Sequence, residues 1–192
     1  QIHWPDTTTA PESSMEAMVR LQEQGKIRFI GVSNYDVEWM TRAQTVGTIV
    51  SLQPPYSILR RDIEKEIIPH CQKTGVGIIC YSPLERGLLT GAVSPARVFA
   101  EGDHRASHPF YTVERREAVL RALEELNPIC QAHQVCPAQM IINWTLREPG
   151  ITGAIVGARN AEQAAHNAEA MQFELTDAEC AEIDRVFQRE WV

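Results

Sequence analysis

A chain of 192 residues, 44% hydrophobic and 22% charged, has the size and composition of one globular domain with a substantial core rather than of a disordered segment. Its formal charge of −7 argues against a nucleic-acid partner, because phosphate backbones are held by clustered Lys and Arg. No run of about 18 apolar residues is present to span a bilayer, and the first residues lack the basic-then-apolar pattern of a secretory leader. The expectation is one domain over residues 1–192, with no membrane partner and a cytoplasmic setting.

QIHWPD opens the chain. Gln1 to Trp4 alternate in polarity and read as the end of a strand that Pro5 and Asp6 stop. Residues 12–24 read as a helix, with Ser13 and Glu16 as a capping box and Gly25 as its stop. IRFIGVSN is a buried strand, and a helix from Asp36 to Thr45 follows. The strand IVSLQ, a helix from Asp62 to Lys73 and the strand VGIICYS repeat the unit. An irregular stretch at residues 85–112 is too long for a connector and reads as a binding loop. Helices near 114–133 and 137–148, the strand GAIVGA, a helix from Asn160 to about Ala170 and a helical segment over 175–192 complete the chain. Thr176 and Glu179 cap that last helix.

Strands that are apolar throughout and joined by helices specify a parallel sheet covered on its faces. A doubly wound open sheet and a (β/α)8 TIM barrel both satisfy the alternation. Ser33 and Asn34, Gln53, Ser82, and Gly157 with Arg159 each fall just after the carboxyl end of a strand, where a barrel gathers its site from several loops. No G-x-G-x-x-G follows the first strand, so the barrel is the favoured reading. Only five strands are counted, against eight in a closed barrel, so roughly three strand-helix units are expected to be missing from the front.

Five cysteines, Cys71, Cys80, Cys130, Cys136 and Cys180, form no C-x-x-C pair and suit a reducing compartment. Cys130, His133 and Cys136 have a spacing that could supply three zinc ligands, with His104 or His108 as a fourth. Structural zinc usually takes two paired knuckles, and this stretch ends an apolar-periodic helix, so core cysteines and no metal are expected. In GARNAEQAAHN, Asn160 can cap the following helix with Gln163 at the reciprocal position, which turns free backbone N–H groups and the positive dipole end towards the loop. An anion suits that end, and Arg159 can hold a phosphate by two hydrogen bonds.

QIHWPD, GKIRFIGVSN, SLQPPYSILRR, CYSPLERGLLTG and GAIVGARNAEQAAHN, in this order and spacing, resemble the aldo-keto reductases. The resemblance covers essentially the whole chain and is weakest between 92 and 115. It implies a (β/α)8 barrel of which this sequence carries strands four to eight, and reduction of a small-molecule carbonyl by hydride transfer from NADPH. Of the family's catalytic Asp, Tyr, Lys and His, only the His is present, as His3 in its H-x-P-D context. The chain as given is therefore expected to be inactive alone. Open sheet edges predict homo-oligomerisation or pairing with the missing N-terminal segment.

The resemblance also assigns a cofactor cradle. Ser33, Asn34 and Gln53 would meet the nicotinamide carboxamide, although a serine and asparagine after a strand also commonly cap a helix. Tyr81 would stack on the nicotinamide ring. Ser82, Pro83, Leu84 and Gly87 would line the diphosphate path. Arg105 in HRAS is either a phosphate clamp or a solvated surface arginine. Gly157, Arg159, Gln163 and Asn167 would hold the adenosine end, and Arg159 favours NADPH over NADH. His166 replaces an acidic residue common in relatives, and Gln163 replaces an Arg found in some. The alternative within this fold is a cofactor-binding regulatory subunit with little turnover; an independent half-barrel structural protein is a third reading.

Overall fold

In the computed structural model, which describes residues 1–191, four parallel strands alternate with helices. The expected C-terminal segment ends at Val192, which lies outside the described residues. The strands are β1 (Gly31–Ser33), β2 (Ser51–Gln53), β3 (Gly77–Tyr81) and β4 (Ile151–Ile155), paired in the order β1-β2-β3-β4. The helices are α1 (Pro11–Glu23), α2 (Val37–Gln44), α3 (Ile67–Thr74), α4 (Val113–Glu125), α5 (Asn127–His133), α6 (Pro137–Arg147), α7 (Ala161–Ala168) and α8 (Asp177–Trp191). The parallel α/β architecture expected from the alternation is present. The chain falls into two compact units.

The first unit comprises Gln1–Tyr56, Arg61–Tyr81 and Glu148–Ile155 and contains the sheet. Register aligns Val32 with Leu52 and Leu52 with Ile78, and all three are fully buried, so one row of the pleat forms a continuous apolar seam. The predicted opening strand is reduced to a single parallel bridge between Ile2 and Val32, made by Ile2 N to Gly31 O (3.0 Å) and Ser33 N to Ile2 O (2.8 Å). The α1 capping box does not form. Pro11, with its preset φ and no N–H to satisfy, starts the helix, and Ser13 falls inside the first turn. Gly25 at φ +68° provides the expected stop. The helix predicted from Asp62 to Lys73 is instead a 3-10 turn, Asp62–Glu64, followed by α3, with Glu66 at φ −131° between them.

The second unit comprises Ser57–Arg60, Ser82–Arg147 and Val156–Val192. Its core includes Leu88, Leu89, Val119, Ala122, Leu126, Met140, Ile141, Ile183, Val186 and Phe187, and α4 packs against α8. The helix expected over 114–133 breaks at Leu126, because Pro128 has no N–H to continue the ladder and sits in the first turn of α5. The long stretch 85–112 carries three short 3-10 segments, Glu85–Thr90, His104–Ser107 and Pro109–Tyr111. Thr176 and Glu179 form the predicted reciprocal cap of α8: Glu179 N donates to Thr176 Oγ1 at 3.2 Å, and Thr176 N donates to Glu179 Oε2 at 2.7 Å.

Candidate active site

In the first unit, β1, β2 and β3 end on polar residues, and the parallel register brings Ser33 opposite Gln53. Ser33, buried, donates its hydroxyl to Gln53 O at 2.7 Å. Asn34 follows at φ +61°, a left-handed conformation that Asn tolerates better than most residues. Its Nδ2 donates to Ser33 Oγ (3.0 Å) and to the His3 carbonyl (3.1 Å), and its Oδ1 accepts from Tyr81 Oη at 2.8 Å. Gln53 Nε2 donates to Gln1 Oε1 at 2.9 Å. The structure thus brings Ser33, Asn34, Gln53, Tyr81 and the His3 backbone into one hydrogen-bonded group. The His3 side chain is exposed, its ring 6.2 Å from that of Trp4, and among the described residues its ring nitrogens make no hydrogen bond.

In the second unit, the turn after β3 contains Ser82 at φ +60° and buried Pro83, then Leu84 and Gly87 at φ +94°. A Cβ at Gly87 would meet nothing within 4 Å, so glycine serves its conformation rather than a close approach. Arg105 is engaged by Asp103, its Nε 3.0 Å from Oδ1 and 3.1 Å from Oδ2, and its guanidinium lies 4.9 Å from the Phe99 ring centroid. This pairing holds the Asp103 carboxyl down at about 2.

The loop before α7 is tied to that helix by the residues singled out for the adenosine end. Asn160 Oδ1 accepts from Gln163 N at 2.8 Å, the expected cap. The reciprocal bond is displaced by one residue: Gln163 Oε1 accepts from Arg159 N at 3.0 Å. Asn167 Nδ2 donates to Gly157 O at 3.3 Å. Both amides therefore brace the loop, and the exposed Arg159 side chain makes no ion pair among the described residues.

Cys130 is buried with its sulfur 3.6 Å from Met140 Sδ, and burial pushes its thiol up to about 11. His133 is occupied by Glu179, 2.8 Å from its Nε2. Among the described residues no group of three or more His, Cys, Asp or Glu is arranged to hold a metal ion, and no helix is long and apolar enough to cross a membrane. Sequence reasoning passed over Glu85, which is buried beside Ser57. Nothing in SPLERG distinguishes it from a solvated glutamate.

A parallel α/β sheet with polar side chains gathered at its carboxyl ends is consistent with an α/β protein of the barrel type. The sequence profile described as the aldo/keto reductase family matches residues 1–188, and the chain belongs to that family. It is 30% identical over 98% of its length to an aldo-keto reductase, YhdN, of Bacillus subtilis, and 32% identical over 92% to an Escherichia coli protein named as an NADH-specific methylglyoxal reductase. It covers 57% and 55% of those proteins, respectively. The structure of the glycerol dehydrogenase AKR11B4 from Gluconobacter oxydans superposes with a TM-score of 0.93 at 31% identity, over 99% of this chain and 58% of that one. The chain thus spans somewhat more than half the length of each of these proteins.

Proposed function

We propose that the protein is an oxidoreductase that uses NADPH to reduce aldehydes or ketones to alcohols. The convergence of Ser33, Asn34, Gln53 and Tyr81 in one group beside His3 is the observation that carries this reading. The residues suit a nicotinamide cofactor in kind. Gln53, whose Nε2 gives one of its two N–H groups to Gln1, presents an amide donor and acceptor, as a carboxamide requires. Asn34 Oδ1 can accept one hydrogen bond besides that from Tyr81, and Tyr81 supplies a half-buried aromatic face. A bound reduced nicotinamide supplies the hydride for the carbonyl carbon. His3, whose ring makes no hydrogen bond among the described residues, orients the substrate and donates to the carbonyl oxygen as negative charge develops there.

In the second unit, Ser82, Pro83, Leu84 and Gly87 are read as the diphosphate path, and residues 85–112 as a cofactor loop. Gly157, Arg159, Gln163 and Asn167 are read as the adenosine end. Arg105 is the weaker phosphate ligand, because Asp103 already occupies it. Arg159 is the stronger, because it is exposed and immediately precedes Asn160, the N-cap of α7. That arrangement favours a 2′-phosphate and hence NADPH, in contrast to the NADH specificity in the name of the Escherichia coli relative.

Fluorescence titration of the purified protein with both nucleotides tests the reading. Arg159→Ala should weaken NADPH by roughly 1.5–3 kcal/mol, the range for charge-assisted hydrogen bonds, and NADH far less. Equal losses for the two would remove the NADPH preference. Binding of neither nucleotide by the unaltered protein would overturn the proposed function.

A further inference from the structure

The turn containing the proposed diphosphate path adopts an unusual backbone. Glu85, Arg86 and Gly87 lie at φ +43°, +55° and +94° in succession. Two of these residues carry side chains, and a left-handed run of that kind persists only where its surroundings over-determine it. No close approach at Gly87 holds it, since a Cβ there would sit in open space. Polar bonds within the second unit do.

Glu85 is only 2% exposed, and its carboxyl accepts from Ser57 Oγ at 2.8 Å and lies 3.7 Å from Arg60 Nε. Ser57 and Arg60 are themselves fixed by a tight turn, Ser57 N to Arg60 O at 3.2 Å and Arg60 N to Ser57 O at 3.0 Å. The buried Tyr111 hydroxyl shares its single proton between the carbonyls of Glu85 (2.7 Å) and Arg86 (3.0 Å). The run is thus held through both its side chain and its main chain.

We propose that Glu85 is a positioning residue: anchored on Ser57 and Arg60, and working with Tyr111, it holds residues 85–87 in the left-handed conformation that shapes the turn for a diphosphate. The ligand rests on the function proposed above; the conformational role does not.

Amide hydrogen exchange over residues 85–90 and fluorescence titrations with NADPH and with adenosine 2′-monophosphate, which lacks a diphosphate, test the proposal on the full chain. Glu85→Ala and Tyr111→Phe should each speed exchange in this segment by about five- to tenfold, the effect of losing one net hydrogen bond, with strands β1–β3 unaffected. NADPH should weaken about as much, and adenosine 2′-monophosphate should bind unchanged. Glu85→Gln, which keeps an acceptor for Ser57, should restore both readings most of the way. Unchanged exchange in Glu85→Ala, or faster exchange with unchanged NADPH affinity, would overturn the proposal. Parallel loss of both ligands would also overturn it by marking a general structural defect. If the unaltered chain binds neither ligand, the proposed function fails, and the exchange measurement alone decides the role of Glu85.

Discussion

Asn34 concentrates more structural consequence than any neighbour at the strand ends. Its backbone is left-handed, its N–H donates to Gln53 O at 3.2 Å, and both ends of its amide are bonded. Tyr81→Phe removes the donor to Asn34 Oδ1 while keeping the ring. It should cost about 0.5–1.5 kcal/mol in denaturant unfolding, and a larger loss would mean that the Asn34 conformation depends on that bond. Asp103 offers a pH test. Held at about 2 by Arg105 against an ordinary 3.8, it lends the loop stability that is fully present above 3.8 and disappears as pH falls through 2. A carboxyl-resolved NMR titration should place Asp103 near 2 in the unaltered protein and closer to 3.8 in Arg105→Gln.

Among the helices, α6 shows how polar residues specify packing. Asn143, 6% exposed, donates to the carbonyls of Ala170 and Phe173 at 2.9 Å each and accepts from Leu175 N at 3.3 Å. One turn earlier, Gln139 Nε2 donates to His166 O and to Glu169 Oε2, both at 2.9 Å. The two amides lie four residues apart on one helix face and fix the path of residues 166–175. Removing Asn143 leaves two carbonyls and one N–H without these partners. Asn143→Ala should therefore destabilise by roughly 2–4 kcal/mol, taking three net hydrogen bonds at about 1 kcal/mol each, as measured by urea unfolding. Gln139→Ala should do less, because Glu169 is exposed and can turn to water.

Each compact unit carries buried thiols that report its opening. Burial pushes Cys71 up to about 11 and Cys80 up to about 12 in the first unit, and Cys130 up to about 11 in the second. Thiolate is the reactive form, so these three should resist a thiol reagent at neutral pH while half-buried Cys136 and Cys180 react first. Mass spectrometry after native labelling should find adducts confined to Cys136 and Cys180, with all five modified in denaturant. Stoichiometric native labelling of Cys80 would contradict the closed first unit.

Local rules acted alone at several places, and there the sequence was legible. The apolar runs of β1, β2 and β3, the Asn160 and Thr176 caps and the stop at Gly25 involve neighbours within a few residues, so short-range pattern and capping chemistry suffice. By contrast, β4 starts two residues ahead of GAIVGA and ends on exposed Ile155. The strand-end polar residues were legible because parallel strands joined by helices bring their carboxyl ends to one edge. Competing local signals misled the reading at Ser13, where Pro11 took the helix start, and at Leu126, where Pro128 ended an otherwise continuous apolar period. The pairing of Arg105 with Asp103 and the brace from Gln163 to Arg159 depend on loop path, to which periodicity is blind. The burial of Glu85 depends on a contact 28 residues back at Ser57 and a hydroxyl 26 residues ahead at Tyr111. Such long-range hydrogen bonds leave no period in the chain, because their energy arises only after folding has removed both partners from water.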